Sequence, residues 1–87
     1  MSAELELPSG ERGEALKLEG EVLHVVLPRA FAPGAPFRMR VLLADGPVDV
    51  DGKTIGSKRR EDGRFDVRAR LVSLRRTDRE RLAALTG

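Results

Sequence analysis

Five arginines and one histidine carry most of the chemistry this sequence has to offer. Arg38 and Arg40 stand two apart in Phe37-Arg38-Met39-Arg40-Val41, Arg68 and Arg70 two apart in Val67-Arg68-Ala69-Arg70-Leu71, and Arg12 lies in an acidic N-terminal stretch. Alternate residues of a strand share a face, so each pair presents two guanidiniums to one side. A guanidinium grips phosphate or carboxylate through paired N–H donors, and four of them on neighbouring strands would form an anion-binding patch. The plainer reading of the same residues is a solvated face neutralised by Asp49, Asp51 and Asp66. His24 has no Ser, Cys or carboxylate at a spacing that makes a nucleophile–base pair or a metal site. The chain has no Cys, which removes disulfides and thiolate zinc sites, and it has no Gly-rich phosphate loop. The expectation is a binding domain with no enzymatic activity, no metal and no cofactor.

The elements that position these side chains must fit within 87 residues, enough for one domain and one modest core. Sixteen Lys and Arg oppose 14 Asp and Glu, a balance too even to point to nucleic acid. Aromatic residues amount to three Phe, so stacking platforms for single strands are lacking. No apolar run is long enough to span a bilayer, and the acidic start Met1 to Glu6 has no apolar signal core. A soluble, cytoplasmic domain without membrane or nucleic-acid partners is expected. Small chains of this size often gain burial by association, which points to a protein partner or a homodimer.

Alternation of apolar and polar residues sets out six strands. Glu4 to Leu7 and Ala15 to Glu19 alternate on either side of Pro8-Ser9-Gly10, predicting two short strands with Leu5, Leu7, Leu16 and Leu18 inward. Val22 to Leu27 is more continuously apolar, as in a strand covered on both faces or lying at a contact. Pro28 to Pro36 is a proline-rich loop whose Phe31 plugs the core from outside. Phe37 to Leu43 alternates cleanly and turns at Asp45-Gly46. Asp51-Gly52 can turn a second hairpin, but the short pieces on either side favour one strand from Val48 to Ile55 with a bulge there, and Lys58 to Gly63 reads as a charged loop. Arg64 to Leu71 is the clearest strand. Thr77-Asp78-Arg79-Glu80 has capping-box spacing and opens a helix over 77–85, held to the sheet by Leu82 and Leu85. The predicted fold is mainly all-β: a six-stranded antiparallel β-barrel with a short C-terminal α-helix, one domain over 1–87 with an N-terminal segment over 1–13.

From Ala15 to Leu85 this order resembles the bacterial PilZ domain, through LHVVLP, FAPGAPFRMRVLLADG, VDVDGKTIG, GRFDVRARLVSL and TDRERLAAL. The resemblance implies a six-stranded barrel with a C-terminal helix, and cyclic di-GMP as the family's usual ligand. That ligand is held by R-x-x-x-R ahead of the barrel and D/N-x-S-x-x-G near the second strand. Here Lys17, Glu19 and Val22 occupy the Asp, Ser and Gly positions, and Arg12 has no second Arg four residues away. Glu19 would bring like charge toward a diphosphate. The resemblance therefore implies a regulatory or adaptor module of bacterial signalling that acts through protein interaction, with Val22, Val25, Phe31 and Leu82 as candidate contacts. The alternative is a cyclic di-GMP receptor of unusual mode, using Arg12, Arg38, Arg40, Arg68 and Arg70.

Overall fold

The computed structural model describes residues 2–85; Met1, Thr86 and Gly87, at the ends of the expected domain, lie outside the described residues. Alternating side chains generate six antiparallel strands: β1 (Ala3–Glu6), β2 (Arg12–Glu19), β3 (Val22–Leu27), β4 (Pro36–Leu43), β5 (Gly46–Arg59) and β6 (Phe65–Leu71). They close into a barrel in the order β1-β2-β3-β6-β5-β4, with β1 sealing it between β2 and β4. Inward residues from every strand, among them Leu5, Leu23, Val25, Phe37, Val41, Val50, Val67 and Ala69, form one buried core. The expected fold class is the observed one.

The closure depends on β5. This strand of 14 residues pairs with β4 through its first half, from Leu43↔Gly46 to Pro36↔Lys53, and with β6 from Gly52↔Leu71 to Arg59↔Phe65. Gly52 belongs to both ladders, and a Cβ there would sit 2.1 Å from the Arg70 carbonyl oxygen and 2.9 Å from Leu71 Cα. Only glycine lets the backbones of β5 and β6 meet so closely. The single long strand matches the reading of 48–55, but the irregularity does not fall at Asp51-Gly52. Both residues keep regular register with β4, and the bulge comes at Ile55, between Thr54 and Gly56.

A second bulge corrects the inward set on β2. The pairing passes from Ala15↔Val25 to Lys17↔His24, so Leu16 is the extra residue and the side-chain phase flips there. Ala15 is buried before the bulge and Leu18 packs on the core after it, whereas Leu16 turns to the outer face. The 28–35 loop lies against β5: the Gly34 N–H donates to the Thr54 carbonyl (2.7 Å) and the Thr54 N–H to that of Ala35 (2.9 Å). Phe31 behaves as the expected plug, half-buried with its ring 6.3 Å from that of Phe37. Its N–H donates to Ser57 Oγ (2.9 Å), whose hydroxyl donates to the Phe31 carbonyl (2.7 Å). The charged loop is shorter than expected, because Lys58 and Arg59 belong to β5.

The helix α1 spans Arg76–Ala83 and starts without a capping box. Arg75 is the N-cap, with no side-chain hydrogen bond, and Thr77 is already the second helical residue, too late to cap. Tertiary contacts hold α1 instead. Leu82 and Leu85 are buried in the core, and Arg81 donates to both carboxylate oxygens of Asp45 (2.8 and 3.2 Å) and to the Gly46 carbonyl (2.6 Å). On the other side Arg79 donates to the Gly20 carbonyl (3.3 Å). The helix thus bridges the β2–β3 and β4–β5 turns. No helix among the described residues is long and apolar enough to cross a membrane.

Candidate functional site

Register decides what the four paired arginines can do. Arg38 and Arg40 face outward on β4 and Arg68 and Arg70 outward on β6, on opposite sides of β5. Along β5 their partners run in order: Asp49 opposite Arg40, Asp51 opposite Arg38, Lys53 opposite Arg70 and Gly56 opposite Arg68. The sequence-level patch therefore divides into two unlike halves.

The β4 half is neutralised. Arg40 Nε donates to Asp49 Oδ1 at 2.9 Å, and Arg38 lies 3.6 Å from the Asp51 carboxylate. The Asp49 hydrogen bond and charge push the Arg40 guanidinium further up from its ordinary value. These arginines border a cleft of about 550 Å³ whose walls also carry Glu6, Asp49 and Asp51, so three carboxylates face two guanidiniums. Such a cleft has no net attraction for an anion. Arg12 is likewise committed: it is the first residue of β2 rather than part of a loose entry segment, and it is ion-paired with Glu4 and, at 3.4 Å, with Glu6.

The β6 half is different. Among the described residues, Lys53, Lys58, Arg59, Arg68 and Arg70 have no carboxylate within ion-pair distance, and all five are exposed on β5 or β6. Arg75 and Arg76, at the helix start, are also exposed and unpaired in the same sense. Asp66, the carboxylate expected to neutralise the β6 arginines, is taken by Arg60 at 2.7 Å. That contact pushes the Arg60 guanidinium further up from its ordinary value.

Two of the candidate protein contacts are corrected by burial. Val25 is 1% exposed and Leu82 fully buried, because both point into the core; neither is a free surface. Val26, on the opposite face of β3 from Val25, is also 1% exposed, so this stretch is covered on both sides. Val22 and Phe31 are half-buried. Among the described residues Val72 is the one large apolar side chain that is well exposed, at 49%, so the accessible surface is polar and charged.

No family model matches the chain, and no solved structure does. It is 37% identical over 73 residues, 84% of its length, to the DNA mismatch repair protein MutL of Xanthomonas campestris pv. campestris (strain B100). The chain spans 11% of that protein's length.

Sequence reasoning located the four arginines but missed Lys53 and Lys58 as members of the cationic face. Their outward phase on β5 before and after a bulge, and the diversion of Asp66 to Arg60, become visible only with the register in hand. The basic run Lys58-Arg59-Arg60 directly after a strand-like stretch was the available signal.

Proposed function

We propose that this chain is a PilZ-like regulatory adaptor of bacterial signalling, working by protein contact through the β5–β6 face and without the usual mode of cyclic di-GMP binding. The observation that carries this reading is the segregation of charge. Cations elsewhere on the barrel strands sit on carboxylates, whereas among the described residues Lys53, Lys58, Arg68 and Arg70, which share the outward face of two adjacent strands, do not. Repeated unpaired charge on one face attracts a surface of opposite sign and steers its approach. It also repels a second copy of itself, which favours an acidic partner over a homodimer joined through this face. The barrel with a terminal helix is what the PilZ resemblance implies. Lys17, Glu19 and Val22 at the messenger-motif positions, with Arg12, Arg38 and Arg40 occupied by carboxylates, support a route other than the messenger.

Calorimetric titration with cyclic di-GMP at low and moderate salt tests the negative half, and no saturable heat is expected. Micromolar binding would overturn it and promote the arginine-patch receptor. For the positive half, a photo-cross-linker at Lys58 should trap a defined protein in cells, and the double reversal Lys53→Glu with Arg70→Glu should abolish the product. The same yield after reversal would refute docking on this face. Recovery of duplex DNA, with affinity falling steeply in salt, would replace the protein partner by a nucleic acid.

A further inference from the structure

Both β-bulges of the barrel fall on one row of the sheet. The row runs Lys17–His24–Arg68–Gly56 across β2, β3, β6 and β5; the extra residue of β2 is Leu16, beside Lys17, and that of β5 is Ile55, beside Gly56. Bulges re-aim the side chains next to them and open the local ladder. Gly56 contributes no side chain to the outer face, and an added Cβ would meet nothing within 4 Å except the end of Arg68, at 3.7 Å. The result is a groove of about 490 Å³ on the outer wall, rimmed by Lys17, His24, Lys58 and Arg68.

The polar groups at this groove lack adequate partners. His24 Nε2 is buried and unbonded: Glu19 Oε1 is 3.3 Å away but makes no hydrogen bond to it. Arg68 and Lys58 have no carboxylate within reach among the described residues, and Lys17 has only Glu19, at 3.8 Å and itself largely exposed. Asp66, the carboxylate lining the groove, is held by Arg60. Between the charges the hydrocarbon floor is the outward side chain of Leu16, set against strand backbone at Gly56; the side chains of Val25 and Val67 point the other way, into the core.

From this we infer a small-molecule anion site: the groove binds a phosphomonoester, its phosphate on Arg68, Lys17 and His24 and its organic part on the hydrocarbon floor at Gly56. A bidentate guanidinium beside an ammonium and an imidazole suits a compact dianion. Glu19, 3.3 Å from His24 Nε2 and 68% exposed, must swing into solvent for a phosphate oxygen to reach that ring nitrogen, which then gains the hydrogen bond it lacks. The site rests on the groove alone and stands or falls separately from the adaptor reading.

The test is an amide-resolved NMR titration of the intact chain with inorganic phosphate and with phenyl phosphate. Saturable shifts are expected at Lys17, His24, Gly56 and Arg68, with phenyl phosphate the tighter ligand; inorganic phosphate binding equally well would overturn the role of the hydrocarbon floor. Arg68→Ala should weaken binding about tenfold, whereas Arg76→Ala, which removes a remote cation, should leave it unchanged. The Cβ of Gly56→Leu would meet only the tip of Arg68, at 3.7 Å, and the rest of the side chain would occupy the groove, so the variant should fold as the parent does by circular dichroism and lose binding. Absence of saturable shifts up to about 10 mM ligand, or equal losses in Arg68→Ala and Arg76→Ala, would refute the site.

Discussion

Replacing Gly52 by Ala probes the point on which the barrel and its cationic face both depend. The new Cβ would lie 2.1 Å from the Arg70 carbonyl oxygen, 2.9 Å from the Arg70 carbonyl carbon and 2.9 Å from Leu71 Cα, all backbone atoms that no rotamer can move aside. To restore ordinary contact, β5 and β6 must part by more than about 1 Å. The separation strains the packed interior, at about 1–3 kcal/mol. It also stretches the ladder beside Gly52, including the bond from the Val72 N–H to the Asp51 carbonyl (2.8 Å). Two such bonds contribute about 0.5–1.5 kcal/mol each, giving a total loss of about 2–6 kcal/mol. A domain of 87 residues has about 4–13 kcal/mol to lose.

With no Trp or Tyr in the chain, urea unfolding is followed by far-ultraviolet circular dichroism rather than indole fluorescence. At a slope of about 1 kcal/mol per molar urea, the midpoint should fall by about 2 M or more, and the upper end of the range leaves the chain unfolded in buffer. Gly56→Ala is the matched control, since its Cβ meets only the tip of Arg68 at 3.7 Å; it should hold within about 0.5 kcal/mol of the parent. A Gly52→Ala midpoint within about 0.5 M of the parent would refute the argument that backbone approach at this residue closes the barrel.

Further predictions concern the helix. Leu82→Ala should cost about 2–5 kcal/mol in the same unfolding assay, because the side chain is fully buried where α1 meets the core. Arg75→Ser should stabilise by about 1 kcal/mol: Arg75 has the extended φ −68° and ψ 150° of an N-cap but offers no capping oxygen, and no gain in melting would show the helix start to be otherwise satisfied. The Arg81 hydrogen bonds hold the Asp45 carboxyl below its ordinary range. A lowered folded value means that the contribution is present above the unfolded value and is lost as pH falls through the folded one. The protection of the α1 amides, their exchange measured relative to the intrinsic rate at each pH, should therefore fall on acidification below about pH 4, and Asp45→Asn should remove that step.

The six strands were legible because a closed antiparallel barrel buries one face of each, and β4 and β6 write that constraint as strict alternation. Legibility failed where the period broke. Leu16 occupies an apolar position in an alternating stretch, but one extra residue in β2 reverses which side it faces, and composition does not mark a bulge. Val22 to Leu27 shows the limit of a continuous apolar run, which says that both faces are covered without saying by what; here Val25 lies in the barrel core and Val26, on the other face, is equally inaccessible at 1%. The Thr77-x-x-Glu80 spacing misplaced the helix start because α1 is held by Leu82, Leu85 and Arg81 rather than by its cap. For the site, outward arginines could be placed by parity alone. Their pairing could not, because it depends on which carboxylate register sets opposite each one.

That dependence explains how one sequence device produces two unlike surfaces. Strands β4 and β6 flank β5 and offer it the same chemistry, two outward arginines each. The outward residues of β5 change sign along its length: Asp49 and Asp51 before Gly52, Lys53 and Lys58 after it. Gly52 is also where β5 leaves one neighbour and joins the other. The aspartates consequently fall opposite Arg40 and Arg38, and Lys53 opposite Arg70, so the first ladder cancels its arginines while the second adds to them. A shift of β5 by two residues against β4 would keep every side chain on its face and every apolar residue in the core, yet would place Asp51 opposite Arg40 and Lys53 opposite Arg38. Register at Gly52, more than the number of basic residues, therefore determines where this barrel presents uncompensated positive charge.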